Sequence, residues 1–291
     1  MKISVVIPVF NAEKYLLDCI EALLGQDFPM EEYEIIMVDN GSTDKSTIII
    51  SAYPQIRLLK EVKRGAYAAR NLGIRNARGA IIAFTDPDCS PTSDWLRNIY
   101  SEMATEKTDI VLGHNRPAIK SITLALLSTY EDAKARYIFD KGRKELFFGY
   151  TNNMAVKRHL FEDIGLFLEL ARGSDTIFVR TVSEYRTSDV IRYCPCIQVK
   201  HNEIRNSLHY YRKMFVYGKS RQLYKTIVQA DRLSNRERLF LFRKVVRTKN
   251  FTTLRAILLF FLLGMGFFYW NFGSLVGAWA IKHHKVHFPT S

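Results

Sequence analysis

ISVVIPV at residues 3–9 and IIAFTDPD at residues 81–88 frame the part of this chain that decides its fold. The first is an uncharged, β-branched run of the kind that forms a strand buried on both faces. The second is another apolar run, halted by Thr85-Asp86-Pro87-Asp88. Between them strand and helix patterns alternate. Asn11 is placed to cap a helix in which Tyr15, Leu16, Cys19, Ile20, Leu23 and Leu24 recur at helical spacing. Tyr33–Val38 reads as a second strand and Asn40-Gly41-Ser42 as a turn, with Ser42 or Asp44 capping the helix that follows. Ile56–Lys60 is a third strand and Ala66–Arg75 a helix. Crossovers of this length predict a parallel, doubly wound sheet covered by helices on both faces.

In such sheets ligands sit outside the carboxyl ends of the strands. Pro8, Val9 and Asn11 close the first strand, Asp39 follows the second and Asp86 the fourth, so three polar segments converge on one crevice. Asp86-Pro87-Asp88 is the sharpest feature there. Two carboxylates one residue apart can offer oxygens to Mg²⁺ or Mn²⁺, ions that bind through few carboxylates plus substrate phosphates. The plainer reading is that Asp88 caps a turn with Ser90-Pro91.

Beyond residue 95 the pattern is mixed. Helices are expected at Trp95–Glu106, Ile122–Phe139 and Asp175–Glu184, and strands at Asp109–Leu112, Asn153–Val156, Val190–Tyr193 and Ile197–Lys200. Four cysteines show no zinc spacing, and all four are read as reduced thiols.

The charge is segregated. Residues 1–200 carry 26 Lys+Arg and 26 Asp+Glu, whereas residues 201–291 carry 16 and 3, so the whole +13 excess lies in the last third. Ala256–Ile281 then runs without a charge, long enough for a hydrocarbon core that needs about 20 apolar residues. A basic block beside an apolar run fits a membrane better than nucleic acid, since Lys and Arg near anionic lipid contribute about 1 kcal/mol each. The alternatives are a buried helix of a soluble core, or a bent pair dipping into one leaflet. The basic bias on the amino side, with Lys282 and Lys285 beyond, places the large domain in the cytoplasm and the tail across the membrane. Met1–Phe10 is interrupted by Asn11, Glu13 and Lys14, so it is read as a strand and not as a signal peptide.

SVVIPVFNAEKYLLDCIEALLGQ (4–26), EIIMVDNGSTDKS (34–46) and GAYAARNLGIRNARGAIIAFTDPD (65–88), in that order, resemble the inverting glycosyltransferase family 2. The resemblance implies a GT-A catalytic domain, a doubly wound fold of the nucleotide-diphospho-sugar transferases, over residues 1–215. It would be followed by a basic amphipathic segment (216–255), a transmembrane or membrane-embedded helix (256–281) and a short tail (282–291). It also implies that Pro8, Val9, Asn11 and Asp39 line the nucleotide pocket. Gly65 and Arg70 would lie beside the donor, Asp86 on its ribose or metal side, and Asp88 would bind Mn²⁺ or Mg²⁺. A looser block from Gly149 leads to Asp175, which matches the catalytic base. Ser174 stands where the family commonly has glutamate, and Asn40 where it often has a second acid. Ser174 and Asp175 also read as a helix amino terminus.

His201 resembles a histidine that some relatives place near the metal, and Arg205 and Arg212 are candidates for holding the diphosphate. The Gln-x-x-Arg-Trp motif of processive members is absent, which argues for single additions. The expected partners are a UDP-sugar donor and a membrane lipid or lipid-linked glycan acceptor, with no nucleic acid; the protein is expected at the membrane, single-pass or monotopic. The competing functions are a silent sugar- or lipid-binding module and a sugar-nucleotide nucleotidyltransferase, the latter disfavoured because residues 7–11 lack its Gly-rich, Lys-containing signature.

Overall fold

The computed structural model describes residues 1–105, 107–228 and 231–283. In chain order the elements are β1 (Ile3–Val9), α1 (Glu13–Leu24), β2 (Tyr33–Asp39), α2 (Ser46–Ser51), β3 (Ile56–Lys60), α3 (Ala66–Asn76), β4 (Ile81–Thr85), β5 (Cys89–Pro91), α4 (Trp95–Met103), β6 (Ile110–Pro117), α5 (Ile122–Asp140), β7 (Asn153–Lys157), α6 (His159–Asp163), α7 (Ser174–Tyr185), β8 (Ile191–His201), α8 (Ser207–Tyr224), α9 (Asn235–Thr248) and α10 (Thr253–His283). The chain divides into two compact units, residues 1–118 with 135–203, and residues 119–134 with 204–291.

The first unit is built on an eight-stranded sheet in the order β3-β2-β1-β4-β7-β6-β8-β5. β1 is buried at every residue, as its uncharged run requires, and pairs in parallel with β2 and β4. The alternation legible up to residue 88 therefore yields four parallel strands. The sheet as a whole is mixed, which corrects the expectation of a parallel one: β7 runs antiparallel to both β4 and β6, and β5 antiparallel to β8. β7 is antiparallel to β6 although α5 lies between them in the chain, so strand–helix alternation alone does not make neighbouring strands parallel. The two strands expected at 190–200 are one, β8. Its pairing with β6 jumps from Gly113↔Cys194 to His114↔Gln198, so the irregularity at Pro195 interrupts the ladder without ending the strand. At that kink Cys194 and Cys196 form a disulfide, whereas Cys19 and Cys89 are free and buried. The reading of all four as reduced thiols is corrected accordingly.

Asn11 does not cap α1; Ala12 occupies that position. Asn11 takes a left-handed backbone (φ 47°), and its Oδ1 accepts from the Thr43 amide at 2.8 Å. The helix start is served instead from the neighbouring connection between β2 and α2. Asp44 accepts from the Glu13 amide and from the Ser46 amide, each at 3.0 Å, so one carboxylate holds the first turns of α1 and α2. Gln26 similarly ties the end of α1 to Thr92 and to the first turn of α4.

In the second unit α8 and α10 pack along one another, and α9 carries a capping box between Ser234 and Glu237. The basic residues of 216–255 are distributed over the end of α8, the connections on either side of α9, α9 itself and the start of α10. α10 is longer than the uncharged run, beginning at Thr253. Of the expected tail, residues 284–291 lie outside the described residues.

Candidate functional site

The carboxyl ends of β1, β2 and β4 carry the residues expected to meet a donor. Pro8 and Val9 are register partners of Val38 and Asp39, so the ends of β1 and β2 are level. Asp39 is buried, and its carboxylate accepts from the amides of Gly41 (3.3 Å) and Ser42 (3.0 Å). Ser42 Oγ in turn accepts from the Asn11 amide at 3.0 Å. Asn11 and Asp39 are thus brought together through one tight loop. Asn40, where the resemblance leads one to expect an acid, donates to the carbonyls of Glu61 and Lys63 and accepts from the Gly65 amide at 2.7 Å. A carboxylate could accept from Gly65 but could not donate to those carbonyls. Gly65 begins α3 at φ 133°, a conformation that needs glycine.

α3 delivers the next group. Arg70, expected as a donor contact or as a surface arginine paired with an acid, is 5% exposed and donates to Asp86 Oδ1 at 2.5 Å. Its guanidinium lies 5.3 Å from the ring centroid of Tyr67, one turn earlier on the helix. Asn71, the next residue, locks the Phe167 backbone from both sides, donating to its carbonyl and accepting from its amide.

Tyr67 reaches the start of α7. The Asp175 amide donates to its hydroxyl at 3.4 Å, which sets that hydroxyl beside the Asp175 carboxylate. That carboxylate further accepts from the amides of Thr176 (2.8 Å) and Thr151 (3.3 Å). Burial pushes the Asp175 carboxyl above its ordinary range; the amide bonds, the Arg70 charge and the Tyr67 hydroxyl pull the other way without cancelling it. Gly149 permits the approach, since a Cβ there would lie 2.5 Å from the Asp175 carbonyl oxygen. Ser174 is buried and its hydroxyl donates to the Leu168 carbonyl. Gly173 is the cap of α7, and Ser174 and Asp175 open its first turn, the helix amino terminus that the sequence suggested.

Asp88 and His201 meet through the sheet. β5 and β8 pair Cys89 with His201, and the Asn202 amide donates to the Asp88 carbonyl at 2.8 Å. His201 Nδ1 lies 3.4 Å from Asp88 Oδ2, and one ligand atom from each of Asp88, Cys89 and His201 falls within 4.8 Å of the others. Because Cys89–Pro91 is strand, Asp88 does not cap a turn with Ser90-Pro91. A carboxylate and an imidazole suit Mn²⁺, which accepts nitrogen more readily than Mg²⁺, and both leave positions for phosphate oxygens. These residues fit a divalent ion. A second grouping, Glu102 with Cys194 and Cys196, has both sulfurs in the disulfide and offers no thiolate.

Arg205 and Arg212 belong to the second unit, and the geometry of the first does not include them. Sequence reasoning passed over Tyr67 and Cys89, and also Phe10, an exposed ring beneath the Arg64 guanidinium at 5.1 Å. Tyr67 stands inside the quoted segment 65–88, three residues before Arg70, a spacing that puts both on one helix face.

Residues 4–165 match the family described as glycosyl transferase family 2. The chain is 39% identical over 117 residues to glycosyltransferase AglE of Haloferax volcanii, covering 38% of each protein. It is 34% identical over 158 residues to a poly(ribitol-phosphate) beta-glucosyltransferase of Bacillus spizizenii, covering 50% of this chain and 25% of that one. The matches thus span less than half the length of these relatives. Among solved structures, a mannosyltransferase of Pyrobaculum calidifontis in complex with GDP-Man and Mn²⁺ superposes with a TM-score of 0.62 at 17% identity, covering 99% of this chain and 76% of that one. Fold, order of segments and family match agree: this chain belongs to glycosyl transferase family 2.

Proposed function

We propose that the protein transfers a sugar, with inversion, from a nucleoside-diphosphate sugar to an acceptor hydroxyl, adding one residue at a time. The observation that carries this reading is the run Asp86–Arg70–Tyr67–Asp175. It links the end of the donor-side strand to a desolvated carboxylate at the start of α7. Asp175 takes the proton of the acceptor hydroxyl. The acceptor oxygen then bonds the anomeric carbon, and the bond from that carbon to the diphosphate breaks. A carboxylate raised by burial is a stronger base than one in water. Asp39, Asn11, Pro8, Val9 and Gly65 bound the nucleotide pocket, and Arg70 fixes Asp86 against it. Asp88 and His201 would hold Mn²⁺ or Mg²⁺, which when bound neutralises the departing diphosphate. Arg205 and Arg212 are assigned to the diphosphate on charge alone. UDP is the favoured donor nucleotide. The acceptor is a lipid-linked or membrane-associated glycan, a reading supported by the basic last third and the apolar α10, with the first unit on the cytoplasmic side.

The test is donor turnover by the full chain in detergent, against a panel of nucleotide sugars with Mn²⁺, Mg²⁺ or EDTA. Cation-dependent release of one nucleoside diphosphate, accelerated by a membrane-glycan acceptor, supports the reading. Donor binding by calorimetry without any turnover, acceptors included, points to a silent binding module. Release of pyrophosphate would indicate a nucleotidyltransferase.

A further inference from the structure

The second unit is organised around α10, whose three sides differ. One side packs on α8 so closely that a Cβ on Gly218 would fall 2.0 Å from the Trp270 carbonyl oxygen, and one on Gly273 2.0 Å from that of Phe215. Leu259, Leu262 and Gly277 complete this buried side. A second side is polar at mid-helix. The Arg232 guanidinium lies 4.0 Å from the Trp270 ring centroid and donates to Asn271 Oδ1 at 3.2 Å. Arg221 lies over the same ring at 5.6 Å, and Gln222 donates to the Ser274 hydroxyl at 2.5 Å. The third side is an uninterrupted apolar stripe. Leu254, Ile257, Phe261, Phe268, Phe272 and Leu275 recur at helical spacing and are 50 to 76% exposed.

These sides bear on how the helix meets lipid. Thirty-one residues make a rod of about 45 Å, and a crossing needs about 20 residues. A transverse helix would bring Trp270 to Ser274 near the bilayer midplane. The two guanidiniums would go with them, the environment in which a charged side chain is most costly. A helix lying along the surface has no such conflict. Its stripe faces the acyl chains, while arginines on its flanks reach the phosphates. Residues 204–255, with 14 basic and 2 acidic side chains, give this unit the charge that anionic headgroups attract.

We infer that the second unit is an in-plane anchor for an anionic bilayer leaflet, with α10 immersed lengthwise along its apolar stripe and not crossing. The inference rests on the membrane-facing part of the proposed function and specifies its geometry. It requires neither donor nor acceptor.

The experiment uses the full chain with sealed vesicles of phosphatidylcholine, with or without a quarter phosphatidylglycerol. The chain is expected to float with the anionic vesicles, and the pair Phe268→Glu and Leu275→Glu to lower the bound fraction about tenfold. These side chains are exposed, and an unchanged thermal midpoint would show that the variant folds. Cysteines placed singly by Thr253→Cys and Lys282→Cys are then probed on bound protein with an impermeant maleimide, the parent chain serving as background. Labelling of both from outside is the expected result. Protection of one end until detergent is added would overturn the in-plane placement and leave membrane binding intact. Failure to float on either lipid would overturn both, as would a stripe that proves to join two copies in solution.

Discussion

Arg70 and Asp86 form a buried ion pair at 2.5 Å that ties α3 to the end of β4, with the Tyr67 ring under the guanidinium. Asp86 keeps 30% side-chain exposure, so the pair is not fully desolvated and its rupture costs less than that of a deep one. Arg70→Ala is expected to destabilise the first unit by about 1–3 kcal/mol, leaving a carboxylate without its partner. Arg70→Lys restores charge but not the planar fork, and recovers part of this. Urea unfolding measures the loss. Calorimetric donor titration shows whether the same pair orients Asp86 toward the nucleotide, in which case affinity falls in both variants.

Asp175→Asn keeps size and removes the base, so transfer should fall by about 10²–10⁴ while donor binding is unchanged. The pH profile is more diagnostic. Burial raises the Asp175 carboxyl, and the Tyr67 hydroxyl is among the groups that lower it. Tyr67→Phe removes a lowering contribution, so the proton is held more tightly and the acid limb of kcat/KM moves to higher pH. An unmoved limb with reduced rate would assign Tyr67 to packing against Phe167.

The parts legible in the sequence are those that local pattern controls. Six apolar positions and an uncharged Ser4 decide β1, and Asp39 and Asp86 could be placed because residues at the carboxyl end of a parallel strand have nowhere else to go. What was not legible depends on pairing between distant segments. Nothing local says that Cys89 faces His201 across an antiparallel ladder, or that Pro195 bends one strand instead of separating two. Asn11 illustrates the same limit. Its residue type suits a cap, but Thr43, 32 positions away, claims its side-chain oxygen.

Ser174 offers a test of the departure from the family pattern. Its hydroxyl donates to the Leu168 carbonyl from a buried position, and a carboxylate there would face that oxygen with no proton to offer. Ser174→Glu should therefore destabilise by about 1–3 kcal/mol. Ser174→Ala leaves the same carbonyl without its donor at a smaller cost. Thermal or urea unfolding of the three proteins gives the order Ser, Ala, Glu; a Glu variant as stable as the parent would mean that the segment at Leu168 yields.

Asp88, Cys89 and His201 predict a metal preference. Mn²⁺ binding, followed by the loss of the free-ion electron paramagnetic resonance signal, should weaken about tenfold or more in Asp88→Asn and in His201→Ala. Cys89→Ser should leave it nearly unchanged, because a hard ion gains little from a thiol. If Cys89→Ser abolished binding while His201→Ala did not, the site would be a soft-metal one and the donor-side reading of Asp88 would fall.

Gly273 tests the packing of the second unit by itself. Its Cα approaches α8 so closely that a single added methyl would meet the Phe215 carbonyl oxygen and two further backbone atoms within 3.0 Å, with no flexible side chain to give way. Gly273→Leu must therefore part the α8–α10 pair, exposing Leu259 and Leu262 and breaking the Gln222–Ser274 bond beside it. Hydrogen exchange should accelerate along α8 and α10 and stay unchanged in β1 and β2. Gly264→Leu, on the same helix with open space around its Cβ, supplies the control. Helix propensity favours leucine over glycine at both positions, by about 1 kcal/mol, so only a steric cause makes the two variants move in opposite directions.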